Sequence, residues 1–212
     1  MHWFYLAQLM GVITICFEFA SYQIKNQRKY LLVTSIANIF WMFMFIFMGF
    51  YTSMGVARVM ILAAAFGVAR GMVFWWIFAK NTKKRKIMGR VALYISLAIM
   101  MPFAIMAIVE LPLERQIIIQ SIGLFTGILF IVGQYLPSKH YLRLFAFMYA
   151  SMVLIGNTPL VLIDNAGTGY WNPMGIMIES AKIASVLVFY VRYIITRKVN
   201  EIYQLKLDAL AS

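Results

Sequence analysis

The sequence predicts an all-α polytopic membrane protein: seven transmembrane helices in a 3+1+3 arrangement of two parallel three-helix bundles joined by a linker helix. Three observations carry this. The 212 residues are 63% apolar and 12% charged, with mean hydropathy +0.82, whereas soluble domains run at about 45 to 50% apolar and about 25% charged. The apolar residues fall into seven runs near the ~20 residues that a helix needs to cross about 30 Å of hydrocarbon. The basic residues gather in alternate connections between those runs.

The first run, 3–24, has no Lys or Arg before it and no small-residue cleavage pattern after it, so it reads as a retained helix rather than a signal peptide. A connection with Lys25, Arg28 and Lys29 leads into the second run, 31–50. The third, 54–79, ends at Lys80, Lys83, Lys84, Arg85, Lys86 and Arg90. The fourth, 91–109, contains Pro102 and stops at Glu110. The fifth, 116–136, opens after Glu114 and Arg115 and is followed by Lys139 and Arg143. The sixth, 144–163, contains Pro159 and leads to a loop with Asp164, Tyr170 and Trp171. The seventh, 174–196, has Arg192 near its end and runs into a basic tail. Barrel strands are about ten residues of alternating polarity, which these runs are not.

The chain therefore divides into a first three-helix unit (1–79), a basic loop and linker helix (80–115), a second unit (116–198) and a tail (199–212). Of the 19 basic residues, 15 lie in the connections and tail on one side. Lys and Arg mark the cytoplasmic side, so the N-terminus is expected outside and the C-terminus inside. The net charge of +12 then reports topology and contact with anionic lipid, not nucleic acid. The single cysteine, Cys16, excludes a disulfide framework, and His2 and His140 are too distant in sequence to suggest a metal pair. No cofactor is expected. No Ser or Cys stands beside a plausible His base and there is no phosphate loop, so the chain does not read as an enzyme.

Self-similarity supports two units. Gln8-Leu-Met-Gly11 matches Gln120-Ser-Ile-Gly123 at an offset of 112, and Tyr30-Leu31 matches Tyr141-Leu142 at an offset of 111. Met54-Gly55 matches Met174-Gly175 across a longer loop. A unit of three spans ends on the side opposite its start, so one inserted span makes a second unit parallel to the first, a known transporter plan.

Charges within spans are costly and usually face the bundle interior. Glu18, Asn38 and Arg70 are expected to share one layer toward the inner end of the first unit. Arg58 and Glu179 occupy equivalent outer positions of the two units, with Lys182 one turn deeper. These residues read either as static ion pairs or as two gates. In the second case Arg58 and Glu179 close the outer face, Glu18 and Arg70 the inner, and Asn38, Gln120 and Lys182 lie nearer a central cavity. Gln8, the counterpart of Gln120, joins the candidate set. Three cations against two acids favour a solute with an anionic or electron-rich group. Gly67 and Gly71, with Gly123 and Gly127, make two GxxxG spacings that permit close helix packing. Trp75 and Trp76 read as interface anchors, and Trp41 is placed to line a cavity.

Tyr5-Leu-Ala-Gln8, Gly11-Val-Ile13 and the basic Gln27-Arg28-Lys29 loop resemble the YgjV-like family of bacterial inner-membrane proteins. Met177-Ile-Glu179 and Arg192 before a basic tail look like that family's last helix, and Arg70 looks like its third-helix arginine. The likeness covers about the first 75 residues and the last 25. It implies a place in the SWEET, PQ-loop and PnuC-like superfamily, a bacterial cytoplasmic membrane, and passage of small sugar-like or nucleoside- and vitamin-like solutes by alternating access. Cargo receptors share that fold, so a non-transporting receptor or scaffold is the alternative. The expected partners are the lipid bilayer and a small-molecule solute, and a homo-oligomer is compatible with the sequence.

Overall fold

A computed structural model describes residues 2–51, 54–79, 82–109, 125, 127–136, 139–163 and 173–211. Glu110, Glu114, Arg115, Gln120, Gly123, Asp164, Tyr170, Trp171 and Lys80 lie outside the described residues. Every regular element described is an α-helix: α1 His2–Gln23, α2 Gln27–Tyr51, α3 Met54–Ile77, α4 Lys83–Val109, α5 over 127–135, α6 Lys139–Ile163 and α7 Pro173–Ala211.

The capping chemistry explains why two helices begin ahead of their apolar runs. Asn26 Oδ1 accepts from the backbone N–H groups of Arg28 (2.9 Å) and Lys29 (3.2 Å), so α2 starts at Gln27 rather than at residue 31. Thr82 Oγ1 accepts from the Arg85 N–H at 3.3 Å and starts α4 eight residues before its apolar run at 91. The largest departure is at the other end of the chain. α7 runs for 39 residues, about 58 Å at 1.5 Å per residue, and the expected tail from 199 is helical to Ala211.

Among the described residues, three helices are long and apolar enough to cross a membrane: His2–Gln23, Gln27–Tyr51 and Met174–Gln204. Ile61–Ile77 and His140–Ile155 are shorter apolar helices. The bundle is inverted relative to a water-soluble one. Leu9, Phe43, Leu62, Ile95, Phe125, Ile155 and Leu187 are exposed, whereas Thr14, Glu18, Ser35, Gln134, Glu179, Lys182 and Ser185 are buried. An apolar exterior around a polar interior is the arrangement that lipid stabilises.

α2 packs along both α1 and α3, α1 also along α7, α7 along α6, and α3 along α4. The small residues set these approaches. Gly67 faces Asn38 and Gly71 faces Ser35, which brings α3 against α2; Gly127 faces Met100 of α4; Gly11 faces Met44 of α2 and Met174 of α7. The Gly11–Met174 and Gln23–Ser185 contacts show that α1 and α7 run parallel.

Two apolar clusters lie at different heights. One joins Tyr22, Tyr30, Leu31, Phe74, Ile77, Leu142, Ala146 and Val186. The other joins Ala7, Met44, Met174 and Ile178. On α1, α2 and α7 the residues between these two clusters include Glu18, Asn38, Trp41, Glu179 and Lys182. A polar layer is thus bracketed by apolar contacts above and below.

Candidate functional site

The polar layer is built around α7. Lys182 Nζ donates to Glu179 Oε1 at 2.8 Å, an i to i+3 pair that helical geometry brings face to face. Both residues are buried, 7% and 4% exposed. The same ammonium lies 5.7 Å from the ring centroid of Trp41 on α2 and 5.7 Å from that of Tyr149 on α6. Aromatic faces carry negative electrostatic potential, so two rings and a carboxylate together replace the water that a buried lysine has lost.

Around this pair stand polar atoms with nothing to bond. Glu18 on α1 is 7% exposed, interacts electrostatically with Lys182 and Glu179, and has no hydrogen-bond partner for its Oε2. Glu179 Oε2 is likewise buried and unpartnered, as is Arg70 Nε on α3. The Arg70 guanidinium lies 5.4 Å from the ring of Phe66 one turn earlier on its own helix. Tyr30 and Tyr149 both interact electrostatically with Glu18 and with Arg70. Five helices, α1, α2, α3, α6 and α7, therefore contribute to one cluster. Chemically it offers two carboxylate oxygens that can accept and one guanidinium nitrogen that can donate, in a setting where leaving them unused is expensive.

The structure sorts the sequence candidates as follows. Glu18, Glu179 and Lys182 come together in the cluster, and Arg70 interacts with two tyrosines, Tyr30 and Tyr149, that also interact with Glu18. Asn38 is adjacent, donating to the Thr34 carbonyl at 2.9 Å and packing on Gly67 one turn from Arg70. Gln8 has a buried, unpartnered Nε2 but stands ten residues from Glu18, about 15 Å along α1. Arg58 is exposed. Glu179 pairs with Lys182 rather than with Arg58, and among the described residues no ion pair joins Glu18 to Arg70. Arg58 is exposed and Arg70 half-buried, whereas Glu18, Glu179 and Lys182 are buried. Tyr149 and Tyr30 were not anticipated; their signal is weak, because an aromatic residue in an apolar run is indistinguishable from ordinary packing. No group of three potential metal ligands occurs among the described residues.

A second set of polar contacts ties the helix ends together where α1, α3 and α5 finish. A helix C-terminus leaves carbonyls without intrahelical partners. Arg143, near the start of α6, donates through Nε to Tyr22 O at 2.8 Å and through Nη2 to Ile24 O at 2.7 Å, and stacks 3.6 Å from the ring centroid of Phe189. Gln27, at the start of α2, donates through Nε2 to Gln134 O and Leu136 O, both at 2.8 Å. Tyr22 and Gln134 are 112 positions apart, as are Ile24 and Leu136, the same offset that relates Gln8 to Gln120. Arg85 donates to Trp76 O at the end of α3 and stacks on the Trp76 ring, while Arg28 stacks on Trp75. Gln23 Nε2 donates to Ser185 O (2.7 Å) and Oγ (2.8 Å), and Ser185 Oγ donates to Phe19 O (2.6 Å). Arg143, which the sequence placed among loop charges, is 1% exposed.

Beyond these contacts lies a cleft of about 820 Å³ lined in part by Gln23, Lys25, Phe189, Arg192, Arg197 and Gln204. Its apolar wall, Phe189, is the ring on which Arg143 stacks.

Comparison with family models, with characterised proteins and with solved structures finds no match to this chain.

Proposed function

We propose that the protein is a seven-span membrane transporter or facilitator that moves a small polar solute by alternating access between a first unit, α1 to α3, and a second, α5 to α7, with α4 as linker. The observation that carries this reading is the set of buried, unpartnered polar atoms of Glu18, Arg70 and Glu179 inside an apolar bundle. A purely structural cluster would be stabilised by pairing every one of them; a cluster that holds a solute keeps them free to bond it. The apolar clusters around Tyr22 and Met44 serve as the inner and outer closures of this reading. The ionic gates drawn from sequence are not needed for it.

The reciprocal capping supports the two-unit plan, because each unit satisfies the C-terminal carbonyls of the other unit's first helix at positions 112 apart. The gathering of Lys25, Arg28, Lys29 and the Lys83–Lys86 stretch near these caps makes this end cytoplasmic by the distribution of positive charge. The reading thus includes a bacterial cytoplasmic membrane, an external N-terminus and kinship with the YgjV-like proteins.

The test is osmotic swelling of proteoliposomes in sugars, nucleosides, vitamins and amino acids. Protein-dependent entry of at least one solute, lost in Glu18→Gln and Lys182→Ala, is the expected result. A protein that binds one of these solutes but passes none is a receptor, the second reading. The length of α7 beyond the cleft, with exposed Val199, Ile202 and Tyr203, favours that reading as far as it offers a contact surface.

A further inference from the structure

The cleft beyond the capped helix ends takes no part in the proposed transport cycle, yet its chemistry is one-sided. Its wall on α7 is a single face: Phe189, Arg192, Thr196 and Asn200 line it and recur every three or four residues. Gln23 and Lys25, at the end of α1 and in the connection to α2, line it as well. The charged residues in the lining are three cations, Lys25, Arg192 and Arg197, and one acid, Glu201. Arg197 Nε donates to Glu201 Oε1 at 2.9 Å, so those two charges offset each other. The side chains of Lys25 and Arg192 have no partner among the described residues. Two uncompensated positive charges therefore line one open space.

Size and height narrow what can fill it. A volume of about 820 Å³ lies in the range of small-molecule sites, about 300 to 1,000 Å³, and far exceeds the needs of a simple halide. The amides of Asn200 and Gln204 add neutral donors, and Phe189 adds an apolar wall. A phosphate group offers several acceptor oxygens together with a full negative charge, the chemistry that a lysine ammonium and an arginine fork recognise. A cation is repelled here, and a neutral sugar leaves both charges unused. Gln23 bonds Ser185, so the cleft opens one turn past a contact that joins α1 to α7. Over that same stretch Val188, Val191 and Ile195 are exposed on a separate face of α7. In a bilayer, the near part of the cleft then lies where hydrocarbon gives way to headgroups.

We propose that this cleft is a binding site for a phosphate-bearing ligand of net negative charge, held by Lys25 and Arg192. The phosphate comes either from the headgroup of an anionic phospholipid or from a soluble phosphate ester. Bound there, it ties the α1–α2 connection to α7 beside Phe189, the ring on which Arg143 stacks.

The experiment is thermal unfolding of the full-length protein in an uncharged detergent with dioctanoyl phosphatidylglycerol, dioctanoyl phosphatidylcholine, sn-glycerol 3-phosphate and AMP. Phosphatidylglycerol is expected to raise the unfolding temperature, and phosphatidylcholine, whose phosphate is offset by its own choline, is not. A response to phosphatidylglycerol alone identifies a lipid headgroup as the source, and a response to glycerol 3-phosphate or AMP identifies a soluble ester; either sustains the site. Lys25→Gln and Arg192→Gln should each weaken the apparent affinity about fivefold, and Lys84→Gln, a basic residue outside the lining, should leave it unchanged. Both cleft residues are exposed, so neither substitution threatens folding. An equal response to phosphatidylcholine would overturn the proposal, because acyl chains rather than charge would then bind. So would an affinity unaltered in the Lys25→Gln, Arg192→Gln double variant, or one weakened as much by Lys84→Gln, which would spread the attraction over the whole basic surface. No response to any of the four compounds would also overturn it and would leave the transport reading standing, since solute entry into proteoliposomes is measured separately.

Discussion

Lys182 and Glu179 form a buried ion pair within a single turn of α7, at 2.8 Å, while the carboxylate's second oxygen has no partner. A pair made within one helix persists whatever neighbouring helices do. In the proposed transport cycle it is therefore suited to stay intact, unlike a pair that bridges the two proposed units.

Removing the base should be much worse than removing the pair. Lys182→Met leaves Glu179 and Glu18 buried without a cation at hand, and the expected loss is about 3 to 5 kcal/mol. The double variant Lys182→Met with Glu179→Gln should regain most of it, because no uncompensated charge remains on α7. Chemical unfolding of the four proteins of this cycle, followed by helical signal, gives the coupling directly; additive losses would mean that the pair contributes nothing as a unit.

Arg143 is predicted to be intolerant of a nominally conservative change. Its planar fork reaches two carbonyls and sits 3.6 Å from the centroid of the Phe189 ring, a geometry that a lysine ammonium cannot reproduce. Arg143→Lys should lose about 1.5 to 3 kcal/mol, the range for a hydrogen bond to a charged group. Gln27→Ala, which frees two carbonyls at the end of α5 without touching a charge, should cost about 1 to 2 kcal/mol. Equal losses for Arg143→Lys and an exposed control such as Lys84→Arg would contradict the capping role.

The α2–α3 contact offers a cleaner packing test. A Cβ at Gly71 would overlap Ser35 Oγ and come within 3.5 Å of the Leu31 carbonyl, so Gly71→Ala should cost about 1 to 3 kcal/mol through overpacking. Adding Ser35→Ala removes the overlapping oxygen and should return part of that loss. A Gly71→Ala protein as stable as the wild type would show that these helices separate more readily than their geometry indicates.

Orientation can be read with the cysteine content as it is. Cys16 is exposed on α1 in the apolar outer face, where a membrane-impermeant reagent does not reach it. Lys84→Cys and Glu201→Cys should react with a membrane-impermeant maleimide in inside-out vesicles and not in intact cells. Labelling of either from outside the cell would reverse the topology proposed here.

Much of this architecture was legible in the chain because lipid imposes a simple rule on length and polarity. The runs beginning at 3, 31, 54, 91, 144 and 174 all correspond to described helices, and Glu18, Glu179 and Lys182, which the structure brings together, were already conspicuous as charges within apolar runs. What could not be read was partnership. Periodicity says that Glu179 faces inward but not whether it meets Arg58 or Lys182, since both spacings are sterically allowed. The extent of α7 was missed for a related reason: hydropathy marks where a helix leaves lipid, not where it ends, and the segment beyond 196 carries no glycine or proline to stop it. Arg143 was misplaced because a charge at the edge of an apolar run looks the same whether it points to water or to the carbonyls of another helix.

The cap on α1 also imposes an order on biogenesis. The guanidinium that satisfies Tyr22 O lies 121 residues later in the chain. At about 5 to 20 residues per second, synthesis reaches Arg143 on the order of ten seconds after the end of α1 has been made. Throughout that interval the first helix must reside in the membrane with its final carbonyls bonded to water or headgroups. The first three helices are therefore a provisional assembly, completed only when the sixth arrives, and a ribosome stalled before Arg143 would leave behind a unit whose first helix has an open end.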